Sequence, residues 1–216
     1  FPYTTLFRST KWNAGLTTGD LPDMSTAQGT GEVVEMMNAD VLTPIDDMVD
    51  DIGRDRFSAN ALADMTSDGA TYGVPYYSPA QVMWYRTDLL EAAGLEVPKT
   101  WDEFYDAAVT LTKDGQYGAA FSCSPNDLLS TRYLNYYVVS AGSSLLNDDL
   151  TANLTSKEAI DGINFWLKVY KNCSPAETIN YTVNDHATLF YQGKTAFAFN
   201  SGFMIVQYAA ASMVSE

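Results

Sequence analysis

The chain has 216 residues, and 46% of them are hydrophobic, which is enough for one sizeable core or two small ones and argues against disorder. Its 27 acidic and 12 basic residues give a formal net charge of -15, the wrong sign for binding nucleic acid or an anionic membrane surface. Two cysteines without a CxxC pair and a single histidine also argue against a zinc site.

The two cysteines leave two alternatives open. Cys123 and Cys173 could form one disulfide, which would suit an oxidising compartment, or remain as two buried free thiols. No apolar run reaches the roughly twenty residues that a membrane-spanning helix needs.

The amino end has an unusual sequence. Residues 1–9, FPYTTLFRS, match one translated reading frame of a common sequencing-library adapter. We therefore expect this segment to be an artefact joined to a truncated gene fragment, and we exclude it from the fold prediction. A natural apolar segment is the alternative. On the adapter interpretation, the true amino terminus and any secretory signal are missing.

The first predicted elements are short. Pro22 closes a turn and is followed by a predicted extended segment at 23–26. Residues 27–31 are small and flexible, and residues 31–38 carry apolar side chains at helical spacing. This order predicts a loop between an extended segment and a helix, where backbone amides can face a ligand.

Two extended runs and a short helix come next. Asp68-Gly69 is a turn signal, and residues 71–77 and 81–85 are rich in strand-forming residues. Residues 87–93 predict a brief helix that ends at Gly94, in the position that tolerates a positive φ.

Two capping boxes predict the starts of two longer helices. Thr100 with Glu103 begins the first, and Thr155 with Glu158 begins the second. The inward-facing residues of the first are predicted to be Phe104, Ala107, Ala108 and Leu111, and those of the second Ile160, Ile163, Leu167 and Tyr170.

The remaining elements complete an alternating pattern. Residues 117–122 predict a strand, which a polar loop at 124–127 joins to a helix that ends at Gly142. A helix at 185–192, a strand at 195–199 and a helix at 202–211 follow. Alternating strands and helices predict an α/β fold with largely parallel sheets, in which ligands sit beyond the carboxyl ends of the strands.

Six short motifs follow one another along the chain: Pro22-Asp23, residues 72–76 (YGVPY), 84–90 (WYRTDLL), 93–95 (AGL), 98–104 (PKTWDEF) and 190–197 (FYQGKTAF). Their order and spacing resemble the family of extracellular solute-binding proteins that includes the maltose-binding and glycerol-3-phosphate-binding receptors. The sequence departs from the family pattern at Arg86-Thr87, where Asn-Lys is frequent, and at Ser201-Gly202-Phe203, where Gly-Pro-Trp is common.

The resemblance implies an incomplete two-lobed, periplasmic-binding-protein-like fold, with a partial lobe 1 at 10–80, most of lobe 2 at 81–216 and a crossover near 78–82. It implies a monomeric, extracytoplasmic receptor, either periplasmic or lipid-anchored at the outer face of the cell membrane. Such a receptor binds a sugar or oligosaccharide in an interlobe cleft and delivers it to the permease subunits of an ABC importer. It needs no cofactor and no metal, and it is not an enzyme.

A sugar offers apolar faces and a rim of hydroxyl groups, so its receptor needs aromatic rings and planar hydrogen-bonding groups. Applying this requirement to the loops at predicted strand ends gives the candidate ligand-binding residues. They are Thr26, Gln28, Thr30, Tyr76, Tyr77, Ser78, Gln81, Asn126, Asp127, Arg132, Asn200, Ser201 and Phe203.

Structural roles compete with these assignments. Asn126 and Asp127 are also good helix caps, and Arg132 could be a solvated surface residue. We expect the tryptophans at 84, 101 and 166 to pack in the core and His186 to lie at the surface.

Two further functions are alternatives to the sugar receptor. A glycan-processing hydrolase could use acidic pairs such as Asp46-Asp47, Asp50-Asp51 or Asp148-Asp149, but adjacent side chains point in different directions. A receptor for a phosphorylated polyol would need more cationic residues beside Arg132.

Overall fold

The structure is a computed structural model that describes residues 14–27, 30–76, 80–125, 127–147, 149 and 151–210, without the side chains of residues 30, 128, 129 and 203. The chain divides into two compact units, Phe1–Ser78 and Pro79–Glu216. The first is called unit 1 and the second unit 2. Their assignment to the two lobes of a receptor stays a prediction.

Unit 1 is built from short elements. After a helical turn at 14–18 come α1 (Thr30–Asn38), α2 (Asp46–Ile52), a 3-10 turn (Arg54–Arg56), α3 (Ala59–Ala63), β1 (Thr66–Ser67) and β2 (Ala70–Thr71). The predicted turn at Asp68-Gly69 joins β1 to β2, and both of its residues have positive φ, 49° and 82°. This backbone conformation is the one that a two-residue hairpin turn favours.

The extended segments predicted in unit 1 are mostly wrong. Residues 23–26 contain no strand, and the strand predicted at 71–77 ends at Thr71 within the described residues. β2 stops early because β1 is only two residues long, and Pro75 has no amide hydrogen to extend the pairing. The helix predicted at 31–38 is confirmed, and Val33 is the buried residue on its inner face.

Unit 2 contains longer elements. Its strands are β3 (Gln81–Tyr85), β4 (Tyr117–Ala119) and β5 (Thr195–Ser201). Its helices are α4 (Thr87–Ala93), α5 (Trp101–Thr110), α6 (Arg132–Ser140), α7 (Lys157–Cys173), α8 (Val183–Tyr191) and α9 (Ile205–Ala210). Three 3-10 turns, Leu128–Thr131, Ala176–Asn180 and Gly202–Met204, link them.

The three strands form one mixed sheet in the order β3-β5-β4. β4 runs parallel to β5, whereas β3 runs antiparallel to it. The α/β prediction is therefore confirmed, but among the described strands β4-β5 is the parallel pairing, and β3-β5 and β1-β2 are antiparallel. β4 is shorter than the predicted strand at 117–122, and β5 extends two residues beyond 199.

One face of this sheet carries a large aromatic core. Phe104 of α5 is 2% exposed, and its ring packs against Phe197 and Phe199 of β5 at centroid distances of 5.2 and 5.1 Å. Trp101 stacks on Phe199 at 5.6 Å, and its indole nitrogen donates to Ser140 Oγ at 2.6 Å. The predicted inward stripe of α5 is confirmed, as is the Thr100 cap, which accepts a hydrogen bond from the amide of residue 103.

The other face of the sheet is covered by α8 and α9. Ala198 of β5 and Phe190 of α8 pack with Tyr208 of α9, which is fully buried. Trp84 of β3 meets Tyr208 edge-on at 4.8 Å. The expected core positions of Trp84, Trp101 and Trp166 are confirmed, because all three pack within these two clusters.

The inward stripe predicted for α7 is wrong for three of its four residues. Ile160, Ile163 and Leu167 are 47%, 40% and 46% exposed, whereas Tyr170 is half-buried and packs against the core. The buried face carries mainly small and aromatic residues, including Gly162 and Trp166. Small residues let α6 approach closely, since a Cβ atom at position 162 would lie 2.9 Å from Leu134 Cδ1. The sequence prediction chose the wrong face of the helix because the branched aliphatic residues lie at helical spacing on the exposed one. The cap is also one residue later than predicted, at Ser156.

Both cysteines are free thiols, as one of the two alternatives predicted. Cys173 is buried, but the burial predicted for Cys123 is wrong, because its side chain is exposed. Burial raises the pKa of Cys173 to about 12, so this thiol stays protonated at neutral pH.

Candidate ligand-binding site

Polar side chains collect at one edge of the sheet in unit 2. Because β4 and β5 are parallel and β3 is antiparallel to them, the carboxyl ends of β4 and β5 lie beside the amino end of β3. Gln81 is the register partner of Ser201, and the amide of Gly202 donates to the Ala80 carbonyl at 3.0 Å. The term polar edge is used for five residues there: Gln81, Arg132, Tyr136, Asn200 and Ser201.

Gln81 is oriented by α6. The Tyr136 hydroxyl donates to Gln81 Oε1 at 3.0 Å, which leaves the amide nitrogen of Gln81 as a donor. Burial raises the pKa of Tyr136, while Arg132, one helical turn earlier, lowers it through its charge and a hydrogen bond. A glutamine amide, a phenol and a guanidinium group therefore lie side by side.

Asn200 and Ser201 lie on opposite faces of β5, as strand alternation requires. Asn200 is 6% exposed, and its Oδ1 accepts a hydrogen bond from the Ser201 amide at 2.8 Å. Its side chain faces Tyr208 of α9: burial raises the pKa of Tyr208, and a hydrogen bond from Asn200 acts in the opposite direction. Ser201 is half-buried beside Gln81.

Asp127 anchors a helix at the same edge. One oxygen of its carboxylate accepts from the Val183 amide at 2.6 Å and from Ser122 Oγ at 2.8 Å. The first contact holds a negative charge at the amino end of α8, where the helix dipole favours it. The sequence offered Asp127 as a cap of the helix that follows it in the chain, but this contact is with α8, 56 residues away, where Thr182 is the N-cap residue.

The surface position predicted for His186 is wrong. His186 is fully buried in α8, and its Nε2 atom lies 2.9 Å from the Tyr133 hydroxyl of α6. Burial lowers the pKa of His186 to about 4, although Asp127 and Asp185 act in the opposite direction. The buried position could not be predicted from the sequence, because the partner, Tyr133, lies 53 residues away in the chain.

Three predicted ligand residues, Gln81, Arg132 and Ser201, come together at the polar edge, and Asn200 lies buried there on the opposite face of β5. Thr26 and Tyr76 are exposed in unit 1, and Tyr76 is 67% exposed. Phe203 lies in the 3-10 turn after β5, and Thr30 begins α1. The predicted residues Gln28, Tyr77, Ser78 and Asn126 lie outside the described residues.

Sequence reasoning missed Tyr136. The signal was available, because Tyr136 and Arg132 are four residues apart and must share a face of any helix formed there. Tyr136 was assigned only to a helix, and its link to Gln81 depends on packing between α6 and β3.

The described residues contain no group of three or more histidine, cysteine or acidic side chains that could hold a metal ion. Two of the acidic residues considered for hydrolysis, Asp46 and Asp50, both pair with Arg54. No described helix is long and apolar enough to cross a membrane.

The family model for bacterial extracellular solute-binding proteins matches residues 2–215. The chain belongs to this family. The resemblance seen in the motifs is therefore confirmed.

Three similar proteins illustrate the match. A solute-binding protein of an ABC transporter from Thermotoga lettingae, solved with α-D-tagatose, superposes with a TM-score of 0.85 at 27% identity, covering 94% of this chain and 54% of that one. A binding protein of Brucella abortus is 28% identical over 90% of this chain and 47% of its own length. A mannitol-binding protein of Pseudomonas aeruginosa is 23% identical over 72% of this chain and 36% of its own length.

The chain spans about half the length of the first two relatives. The structural match confirms the periplasmic-binding-protein-like fold over most of the chain.

Proposed function

We propose that the chain is part of an extracytoplasmic receptor of an ABC importer that binds a neutral sugar or sugar alcohol at the polar edge. Membership of the solute-binding family carries the proposal. The ligands of two similar proteins, tagatose and mannitol, support the class of solute, because both are neutral and rich in hydroxyl groups.

The chemistry of the polar edge fits such a solute. The amide of Gln81 and the guanidinium group of Arg132 are planar donors, and the Ser201 hydroxyl can donate and accept. Tyr136 contributes a ring as well as the hydroxyl that orients Gln81. Neighbouring sugar hydroxyl groups pair well with planar donors of this kind.

A neutral solute also fits the charge. The chain carries a formal charge of -15, and Arg132 is the cationic side chain among the described residues of the polar edge. A phosphate group would meet one guanidinium within an acidic protein, which disfavours the phosphorylated-polyol alternative.

In the proposed mechanism, 10–80 and 81–216 belong to two lobes that close around the solute, and the bound solute stabilises the closed form. The other predicted ligand residues complete the site: Thr26, Gln28, Thr30, Tyr76, Tyr77 and Ser78 before the crossover, and Asn126, Asp127 and Phe203 after it. No bond is broken, so the protein is not an enzyme and needs no cofactor. It acts as a monomer and delivers its solute to the permease subunits.

A thermal-shift screen tests this function. We expect at least one neutral ketose, sugar alcohol or disaccharide to raise the melting temperature of the chain, since a ligand that binds only the folded state stabilises it. Glycerol 3-phosphate tests the phosphorylated alternative, and a chromogenic glycoside tests hydrolysis. A panel without any shift, or glycoside turnover abolished by a single carboxylate substitution, would contradict the proposal.

A further inference from the structure

The single histidine of the chain is buried beside the polar edge, where no step of solute binding uses it. The Tyr133 hydroxyl donates to the Phe199 carbonyl of β5 at 3.2 Å and lies 2.9 Å from His186 Nε2. A phenol has one proton to donate, so His186 supplies the proton of the second hydrogen bond from Nε2. The pair thus connects α8, α6 and β5.

This connection reaches the polar edge through the backbone. Phe199 directly precedes Asn200 and Ser201, so Tyr133 holds the strand one residue before the first of them. A hydrogen bond from the Ser122 backbone also acts on the Tyr133 hydroxyl, which adds the segment that follows β4. One buried hydroxyl group therefore joins β5 and the segment that follows β4 to α8.

The surroundings of His186 suit only the neutral ring. Its Nδ1 atom is buried, and no described residue forms a hydrogen bond with it. The charged groups that act on the ring are Asp127, from the loop after β4, and Asp185, from its own helix. Both carboxylates accept hydrogen bonds from backbone amides at the start of α8, Asp127 from Val183 and Asp185 from Thr182.

The other titratable groups facing this region are phenols. Tyr133 contacts the ring, and Tyr136 of α6 and Tyr208 of α9 act on Tyr133. Burial raises the pKa of Tyr133 well above its usual value, so this hydroxyl stays protonated throughout the acid range. None of these phenols can neutralise an imidazolium ion.

We propose that the buried His186–Tyr133 pair holds the carboxyl end of β5 in place and that acid weakens this hold, so that the polar edge opens before the rest of unit 2. Protonation at Nδ1 would put a positive charge in a buried site without an acceptor among the described residues. The opened state can hydrate that charge, so acid favours opening. Release of solute in acid is the functional consequence, and this consequence rests on the proposed function.

The direction of the pH effect follows from linkage. The folded-state pKa of about 4 lies below the usual value of 6.5, so between these values the opened state binds more protons than the closed state. Opening is therefore disfavoured most above pH 6.5 and becomes easier as the pH falls towards 4. For one histidine, the opening constant should rise about 20-fold between pH 7 and pH 5.

Hydrogen exchange at α8 and the end of β5, corrected for the intrinsic pH dependence of exchange, tests the proposal without any ligand. We expect the 20-fold rise in the wild type and less than a threefold rise in His186→Gln, whose amide can still donate to Tyr133 but does not titrate. Tyr133→Phe, which cuts the link to β5, should speed exchange at the end of β5 already at pH 7. Equal pH dependence in the wild type and His186→Gln would overturn the proposal.

A second measurement keeps the proposal testable if His186→Gln fails to fold. The wild-type imidazole resonance belongs to one residue, so its NMR titration needs no assignment. A midpoint well below 6.5 is expected, and a midpoint near 6.5 would overturn the proposal. Neither readout involves a sugar, so a silent ligand screen would count against the proposed function alone.

Discussion

Unit 1 and unit 2 are stabilised by different means. Among the described residues of unit 1, the buried hydrophobic side chains are Val33 and Val49, and Arg54 forms ion pairs with Asp46 and Asp50 at the surface. Unit 2 instead buries an interlocking set of aromatic rings centred on Phe104 and Trp101. Buried apolar area stabilises far more than exposed ion pairs do, so we expect unit 2 to be the more stable part of the chain.

The largest expected effect comes from emptying the centre of the unit 2 core. Phe104→Ala should destabilise unit 2 by about 3–5 kcal/mol, because it removes a buried ring and leaves a cavity. Denaturant unfolding followed by tryptophan fluorescence measures this loss. Val139→Ala is the control, since Val139 is 57% exposed and should cost less than about 0.5 kcal/mol. Equal effects of the two substitutions would mean that Phe104 does not sit in a tightly packed core, which would contradict the stability expected for unit 2.

A smaller loss is expected where β4 meets α5. A Cβ atom at Gly118 would lie 2.2 Å from the backbone oxygen of Ala108, so Gly118→Ala must push the helix away from the strand. Overpacking of this kind typically costs about 1–3 kcal/mol. The same denaturant titration gives the value, and a neutral result would show that α5 shifts freely over the sheet.

A glycine-to-alanine substitution in unit 1 should instead increase stability. Gly31 lies in α1, and a Cβ atom there meets no described residue within 4 Å. Gly31→Ala should therefore stabilise α1 by about 0.5–1 kcal/mol through helix propensity alone. Hydrogen exchange of α1 measures the gain. Faster exchange in the variant would mean that this helix has a tightly packed neighbour at Gly31.

The smallest effect is expected for the ion pairs of unit 1. Arg54 hydrogen-bonds to Asp46 and Asp50 and lies 3.3 Å from Thr71 Oγ1, but its side chain is 41% exposed. Arg54→Gln should lower the melting temperature slightly, and high salt should shrink the difference from the wild type. A loss as large as that of Phe104→Ala would mean that unit 1 depends on this arginine.

The sequence correctly predicted the structural features that depend on residues close together in the chain. The left-handed Gly94 after α4, the Thr100 cap and the buried stripe of α5 all follow from local spacing. The buried face of α7 and the position of His186 did not, because each is decided by a partner elsewhere: α6 against Gly162, and Tyr133 against His186. Branched aliphatic residues and a lone histidine carry no local sign of such partners.

The candidate site likewise contains residues that the sequence predicted and one that it did not. Gln81, Asn200 and Ser201 could be predicted because strand ends are visible in the sequence, and strand pairing then brings them together. The contact of Tyr136 with Gln81 could not be predicted, because this hydrogen bond spans 55 residues. Helix spacing could have placed Tyr136 beside Arg132, but it carries no information about Gln81.

The central claim is that the polar edge of unit 2 binds the solute, and calorimetric titration of Tyr136→Phe tests it most directly. This variant removes only the hydroxyl that orients Gln81, so a neutral sugar or sugar alcohol that binds the wild type should bind about five- to tenfold more weakly. Tyr170→Phe is the matched control, since its hydroxyl bonds the Ala176 carbonyl beyond the end of α7. Weaker binding by Tyr136→Phe alone is the predicted result, and unchanged affinity in both variants would contradict it.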